Sequence, residues 1–151
     1  LRVSIRYSPF TIHQLNMAEA FHFELVSPER LLLSAEVTEV VIPGSEGYMT
    51  VMARHAPLMT TIKPGVIRVK LADGKESSYV VFGGFADVSQ EICTILAESA
   101  VHVDELNREE LQRRIQDARE DLQDAVTNEQ RTKAEQFLHQ LMTLEGSILP
   151  A

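Results

Sequence analysis

The chain has a single cysteine, no tryptophan, few aromatics and fewer bases than acids. A lone Cys93 excludes an internal disulfide and a cysteine-based zinc site. Lying in the apolar run "EICTILAE", it reads as a small buried strand residue. No stretch approaches the roughly 18 to 20 apolar residues that cross a bilayer, so any membrane association is expected to be peripheral, without insertion. With 14 basic against 22 acidic residues and a formal charge of −8, a phosphate-neutralising groove is not expected. Nucleic acid is therefore excluded as a partner, and basic partners are favoured. Glycine is missing between Gly84 and Gly146, and proline between Pro64 and Pro150.

What is present divides into two halves of different period. At 151 residues and 44% hydrophobic content the chain can bury a real core. Residues 21–103 run at strand period in clusters such as "FHFELV", "GVIRVKLA", "SYVVFGGF" and "CTILAES". These are punctuated by Ser27-Pro28, Pro43-Gly44, Gly47, Pro57, Pro64-Gly65, Asp73-Gly74 and Gly83-Gly84. Asp73-Gly74 between two alternating runs predicts a tight hairpin. In "VIRVKL", Ile67, Val69 and Leu71 fall on one face and Val66, Arg68 and Lys70 on a wet one. "YVVF" is apolar on both faces, as expected of a strand inside two packed antiparallel sheets.

Beyond Val103 the spacing turns helical. Leu111, Ile115, Ala118, Leu122 and Ala125 trace one stripe, and Ala134, Phe137, Leu138, Leu141, Leu144 and Ile148 trace a second. Asp104 or Asn107 can cap the first helix, with Glu105, Glu109 and Glu110 where its dipole favours negative charge. The polar link at residues 127–130 predicts an antiparallel helical hairpin. The expected fold is α+β, with a β-sandwich domain over residues 17–103 and a hairpin domain over 104–151. Residues 1–16, with Arg2 and Arg6 and no acid, read as an extension of unknown role, expected to be disordered, ahead of an initiator-like Met17.

Catalytic constellations are not found. His13, His22, His55, His102 and His139 are scattered, with no short-spaced metal-ligand set. "GSEG" lacks the lysine of a phosphate-binding loop, and Ser45 lacks the strand-turn-helix context of a nucleophile elbow. Such a chain is expected to bind or couple rather than catalyse, with no cofactor and no metal.

The order "ELVSPERLLLS", "VIPGSEGYMTV", "HAPLMTTIKPGVIRV", "GGFADV" and "TILAESAVHVDELN" resembles the epsilon subunit of the bacterial F-type ATP synthase, called delta in mitochondria. The likeness spans residues 19–146 and is most specific in the sheet half. It implies a sandwich of about ten strands, then a helical hairpin, in a non-catalytic rotor subunit that joins the gamma subunit to the c-ring. Such a subunit lies peripherally on the cytoplasmic face of the bacterial inner membrane and passes proton-driven rotation to the catalytic head.

Carried over by position, Gly44, Ser45, Glu46, Gly47 and Tyr48 match the turn that meets the c-ring, with Tyr48 where some relatives have an acid. Ser27, His55, Ala56, Pro57 and Leu58 match the face toward gamma. In many relatives the hairpin can rise and inhibit ATP hydrolysis through bases set against the beta and alpha subunits. Arg108, Arg113, Arg114, Arg119, Arg131 and Lys133 are the candidates here, among eleven acids and six bases in residues 104–151. A family ATP motif is departed from at Asn107 and Glu110, the latter replacing an arginine, so tight ATP binding is not expected. Two other classes are weighed from the residues alone: a sandwich adaptor or chaperone whose hairpin grips clients, and a small hydrolase using Ser45 and His55.

Overall fold

The computed structural model describes residues 19–148. The extension at residues 1–16 and the first two residues of the expected sandwich domain lie outside them. Seven strands come first: β1 Phe21–Val26, β2 Leu31–Gly44, β3 Gly47–Val51, β4 Leu58–Leu71, β5 Glu76–Val88, β6 Ile92–Ala97 and β7 Ala100–His102. A one-turn 3-10 helix, Val103–Glu105, leads into two helices, α1 Arg108–Asp124 and α2 Asn128–Ile148.

Seven strands rather than about ten are formed because β2, β4 and β5 are 13 or 14 residues long and serve both layers. β2 pairs β1 through its first half and β4 and β3 through its second, with irregularities near Val37 and between Val41 and Gly44. β5 changes neighbours at Gly83-Gly84, pairing β7 before it and β6 after it. Both glycines have positive φ, +114° and +147°, and a Cβ on Gly84 would lie 2.3 Å from the Leu96 carbonyl oxygen. Only glycine lets these backbones approach so closely. Split at such points, the three long strands restore the count expected of the sandwich.

The order β1-β6-β5-β4-β2 closes on itself through β1–β2, and one contact departs from the antiparallel rule, since β1 and β6 run parallel. Closure removes two edges that would otherwise invite pairing with other chains. Inside lie Phe21, Phe23, Leu25, Val37, Ile42, Ile67, Val69, Tyr79, Cys93 and Ile95, all buried. Arg68 and Lys70 face solvent while Ile67 and Val69 are enclosed, as the alternation of "VIRVKL" requires. Between β4 and β5, Asp73-Gly74 makes the hairpin turn, with Gly74 at φ +91° and Asp73 accepting from the Lys75 amide at 2.9 Å.

"YVVF" is buried on both faces for a reason periodicity does not reveal. Tyr79 and Val81 point into the sheet core, whereas Val80 and Phe82 point into a second core made with the helices. The hairpin, not a second sheet, covers that face. In it, Leu111, Ile115 and Ala118 of α1 meet Leu141 and Leu144 of α2, while Leu122 and Ala125 are only half-buried and Val126 is 85% exposed. Burial thus fades toward the tip.

Asn107 caps α1, accepting from the Glu110 amide at 2.6 Å, while Asp104 falls in the 3-10 turn. The polar link is shorter than residues 127–130, because α2 already begins at Asn128. Thr127 accepts from the Gln130 amide at 3.1 Å and the Gln130 side chain accepts from the Thr127 amide at 3.2 Å. That reciprocal pair is a capping box, and "TNEQ" is its sequence form.

Candidate functional site

The turn at residues 44–48 joins β2 to β3, with Gly44 paired to Gly47 and Gly47 at φ +123°. Thr60 of β4 fastens it: the Thr60 hydroxyl donates to the Thr61 carbonyl at 3.1 Å and accepts from the Ser45 hydroxyl at 3.1 Å and the Ser45 amide at 3.3 Å. Glu46 stands exposed at the tip. Tyr48 is 61% exposed, yet its hydroxyl accepts the Val66 amide at 3.0 Å. It does so where the β2–β4 ladder is interrupted between Val41 and Gly44. The ring passes over Gly65, where a Cβ would meet the Tyr48 hydroxyl at 2.7 Å and Pro43 at 2.9 Å. Tyr48 therefore stiffens the turn from outside while presenting a ring face to solvent.

The loop between Val51 and Leu58 carries His55, Ala56 and Pro57. Arg54 adopts φ +63°, donates its amide to the Gln90 carbonyl at 3.0 Å and pairs with Glu19 at 2.7 Å. His55 Nδ1 donates to the Ala56 carbonyl at 2.7 Å. Since Ser45 engages Thr60 and His55 its own neighbour, the pair required by the hydrolase reading is not formed.

Ser27 sits elsewhere. It closes the turn after β1, its amide donating to the Arg30 carbonyl at 2.9 Å, whereas Arg54 of the β3–β4 loop pairs with Glu19, which precedes β1. Six strand residues separate the two ends, roughly 20 Å at the usual rise. The structure thus fastens residues 44–48 to Thr60 near the start of β4 and sets Ser27, one residue after Val26, near the register level of Thr61, at the opposite end of β1 from the Arg54–Glu19 pair.

A row on the outer face, exposed at Thr61, Leu96 and Leu31 and half-buried at Phe85 and Val26, connects these regions. Strand register aligns Thr61, Phe85, Leu96, Val26 and Leu31 across β4, β5, β6, β1 and β2. Leu96 is 55% and Leu31 56% exposed, and Met59 in the adjoining row is 64% exposed. The available signal was adjacency: Ile95 and Leu96 must point to opposite faces of β6, so one apolar side chain had to remain outside. Beside this row, His22 binds Glu36 at 2.8 Å and Glu24 at 3.2 Å, and these carboxylates raise its pKa. Burial pushes the Cys93 thiol up to about 12, leaving it inert.

The six hairpin cations do not form one patch. Arg108 and Arg119 are eleven residues apart, about three turns, and share a face. Arg113 and Arg114 point to two others, and Arg131 and Lys133 stand on α2, the latter paired with Glu129 at 3.4 Å. Arg114 alone is half-buried, against the sheet. Glu110, where the ATP motif calls for arginine, pairs with Arg114 at 3.4 Å. Among the described residues, no group of three metal-ligating side chains is assembled and no helix is long and apolar enough to cross a membrane.

Residues 20–103 match the model of the ATP synthase delta/epsilon chain beta-sandwich domain. The ATP synthase epsilon chain of Brucella anthropi is 71% identical over 135 residues, covering 89% of this chain and all of that one. The Brucella suis chain of the same name matches at the same identity and coverage. Among solved structures, a chain of the Euglena gracilis mitochondrial ATP synthase OSCP/F1/c-ring assembly aligns with TM-score 0.68 and 27% identity, covering 88% of this chain and 84% of that one. A chain of the Tetrahymena thermophila mitochondrial ATP synthase central stalk/c-ring shares the fold at TM-score 0.62 and 11% identity, covering 85% and 98%.

Proposed function

The chain belongs to the delta/epsilon chain family of ATP synthase, and from that premise we propose that its sheet domain bridges two rotor neighbours, the c-ring and gamma. Its role is that of a non-catalytic central-stalk subunit. The turn at residues 44–48 is the c-ring contact: Glu46 and the open ring face of Tyr48 project from a turn that Thr60 and Gly65 hold in place. Where relatives offer an acid, this chain offers an aromatic anchor, suited to packing against loops rather than to an ion pair.

The gamma face runs from His55, Ala56, Pro57 and Leu58 along the exposed apolar row to Ser27. The observation that carries this reading is the row itself: five register-aligned positions, four of them apolar, on the outside of a protein whose core is already complete. Exposed apolar continuity of this kind marks a protein interface. Its acidic flank, Glu24, Glu36 and Asp87, favours a partner with bases beside an apolar strip. The subunit would thereby sit peripherally at the cytoplasmic face of the bacterial inner membrane, transmitting proton-driven rotation.

The hairpin has weaker grounds for an inhibitory contact with beta or alpha. Its bases face several directions and are outnumbered, which supports a helical layer that stays on the sheet. Glu110 leaves no cation where a phosphate would need one, so ATP is expected to bind poorly.

Co-expression with the cognate gamma subunit tests the assignment. The wild-type chain should co-purify as a stable complex, and Pro57→Asp or Leu96→Asp should weaken it by at least about tenfold, roughly 1.4 kcal/mol. Wild-type chain that ignores its gamma would sink the reading; complexes indifferent to both substitutions would move the interface elsewhere.

A further inference from the structure

Arg114 differs from every other hairpin cation in what surrounds it. Its guanidinium carbon lies 4.0 Å from the Phe82 ring centroid. Nη2 donates to the Ser99 hydroxyl at 2.8 Å and to Glu110 Oε1 at 3.4 Å, while Nε is enclosed without a partner. The two sheet residues it grips are themselves joined, since the Phe82 amide donates to the Ser99 carbonyl at 3.0 Å. The position follows from the helix stripe: residue 114 is three after Leu111 and four before Ala118, at the border of the buried face.

The packing beside it is incomplete. Two clefts, of about 200 and 260 Å³, flank the guanidinium, and Phe82, Ser99 and Arg114 line both. Apolar contact alone therefore does not set how α1 lies on β5 at this end of the seam. Directional contacts must.

We propose that Arg114 is the pin that seats the helical layer on the sheet. The planar guanidinium stacked on Phe82 fixes the tilt of α1, the Ser99 bond fixes its depth, and Glu110 one turn earlier holds the side chain in the required rotamer. Lysine could donate to Ser99 and Glu110 but could not supply the flat stacking face. The assignment concerns how the chain's own layers are joined, so it stands apart from any role of the hairpin toward other subunits. It has one consequence for such a role: while α1 is seated, Arg114 is spent on the sheet and withheld from any partner carboxylate.

Hydrogen–deuterium exchange on the full chain tests this. Arg114→Ala should speed exchange of the α1 and α2 amides about tenfold while β-strand amides keep their protection, the size expected from losing a stacked cation and a charged hydrogen bond. Ser99→Ala should act on the same amides with a smaller factor, about threefold. Arg114→Lys should fall between wild type and alanine, and serves as the test should the alanine variant aggregate. Arg113→Ala, on an exposed face one residue away, should change nothing. Unaltered hairpin exchange in Arg114→Ala, or in Arg114→Lys where that variant replaces it, would overturn the proposal. So would an equal effect from Arg113→Ala.

Discussion

The sheet domain encloses seventeen buried residues contributed wholly by its own strands, whereas the hairpin buries five and completes its core with Val80 and Phe82 of β5. One region carries its own solvent-free interior; the other borrows a wall. Two helices with one narrow stripe each cannot shield both stripes by facing one another, so their stability depends on where they rest. The asymmetry matches the chain's chemistry, because the c-ring and gamma contacts proposed above lie on the self-sufficient region.

The most severe way to break the comparison is Gly84→Val. Its Cβ would collide with the Leu96 backbone at a φ that side chains avoid, so the sheet should lose about 4 kcal/mol or more. Thermal denaturation should then show sheet and hairpin failing together, since the wall is gone. A hairpin signal that survives would mean that the helices stand alone.

Leu141→Ala is the converse and smaller perturbation, about 2 to 4 kcal/mol by cavity formation. It should lower the melting of the helical circular dichroism signal while protected β-strand amides are unchanged. Coincident loss of both would show a single cooperative core.

The least effect is expected from His22→Gln on the sheet surface. Contacts with Glu36 and Glu24 raise the folded-state pKa of His22, so protonated His22 stabilises the fold. That contribution is fully present below about pH 6.5, the unfolded value, and is lost as pH rises through the raised folded value. Because the group is solvent-screened, the wild-type advantage should be about 0.5 kcal/mol or less. Melting temperatures of the two proteins should differ at pH 5.5 and converge at pH 8; a constant gap would exclude the titration.

Much of this contrast is written in local sequence. The change of period after Val103, the Asp73-Gly74 turn and the stripe through Leu111, Ile115 and Ala118 depend on neighbours a few residues apart. What escaped depends on distant partners. Nothing in "YVVF" says whether its second face meets a sheet or a helix, and the parallel β1–β6 contact joins segments about seventy residues apart. In sequence Arg114 is one base among six in the helical half; its place at the stripe's border marks it out, but its partners Phe82 and Ser99 are set by the fold. At the turn, "GSEG" was legible as a reversal, whereas the tie to Thr60 and the reach of Tyr48 to Val66 required the register of β4.

That tie has a mechanical meaning. The turn at residues 44–48 is bonded to Thr60 and Val66 of β4, and β4 begins at Leu58, the last residue of the loop proposed to meet gamma. A sideways push on the turn therefore enters a strand laddered to β5 from Leu58 to Lys70 and to β2 at Ile62 and from Arg68 to Leu71. There it is resisted by many hydrogen bonds sheared at once rather than by bonds peeled one at a time. The load path from the turn to Leu58 stays within the ladder, and only His55, Ala56 and Pro57 lie beyond it in the loop, so torque applied at the turn would reach Leu58 with little lost to bending.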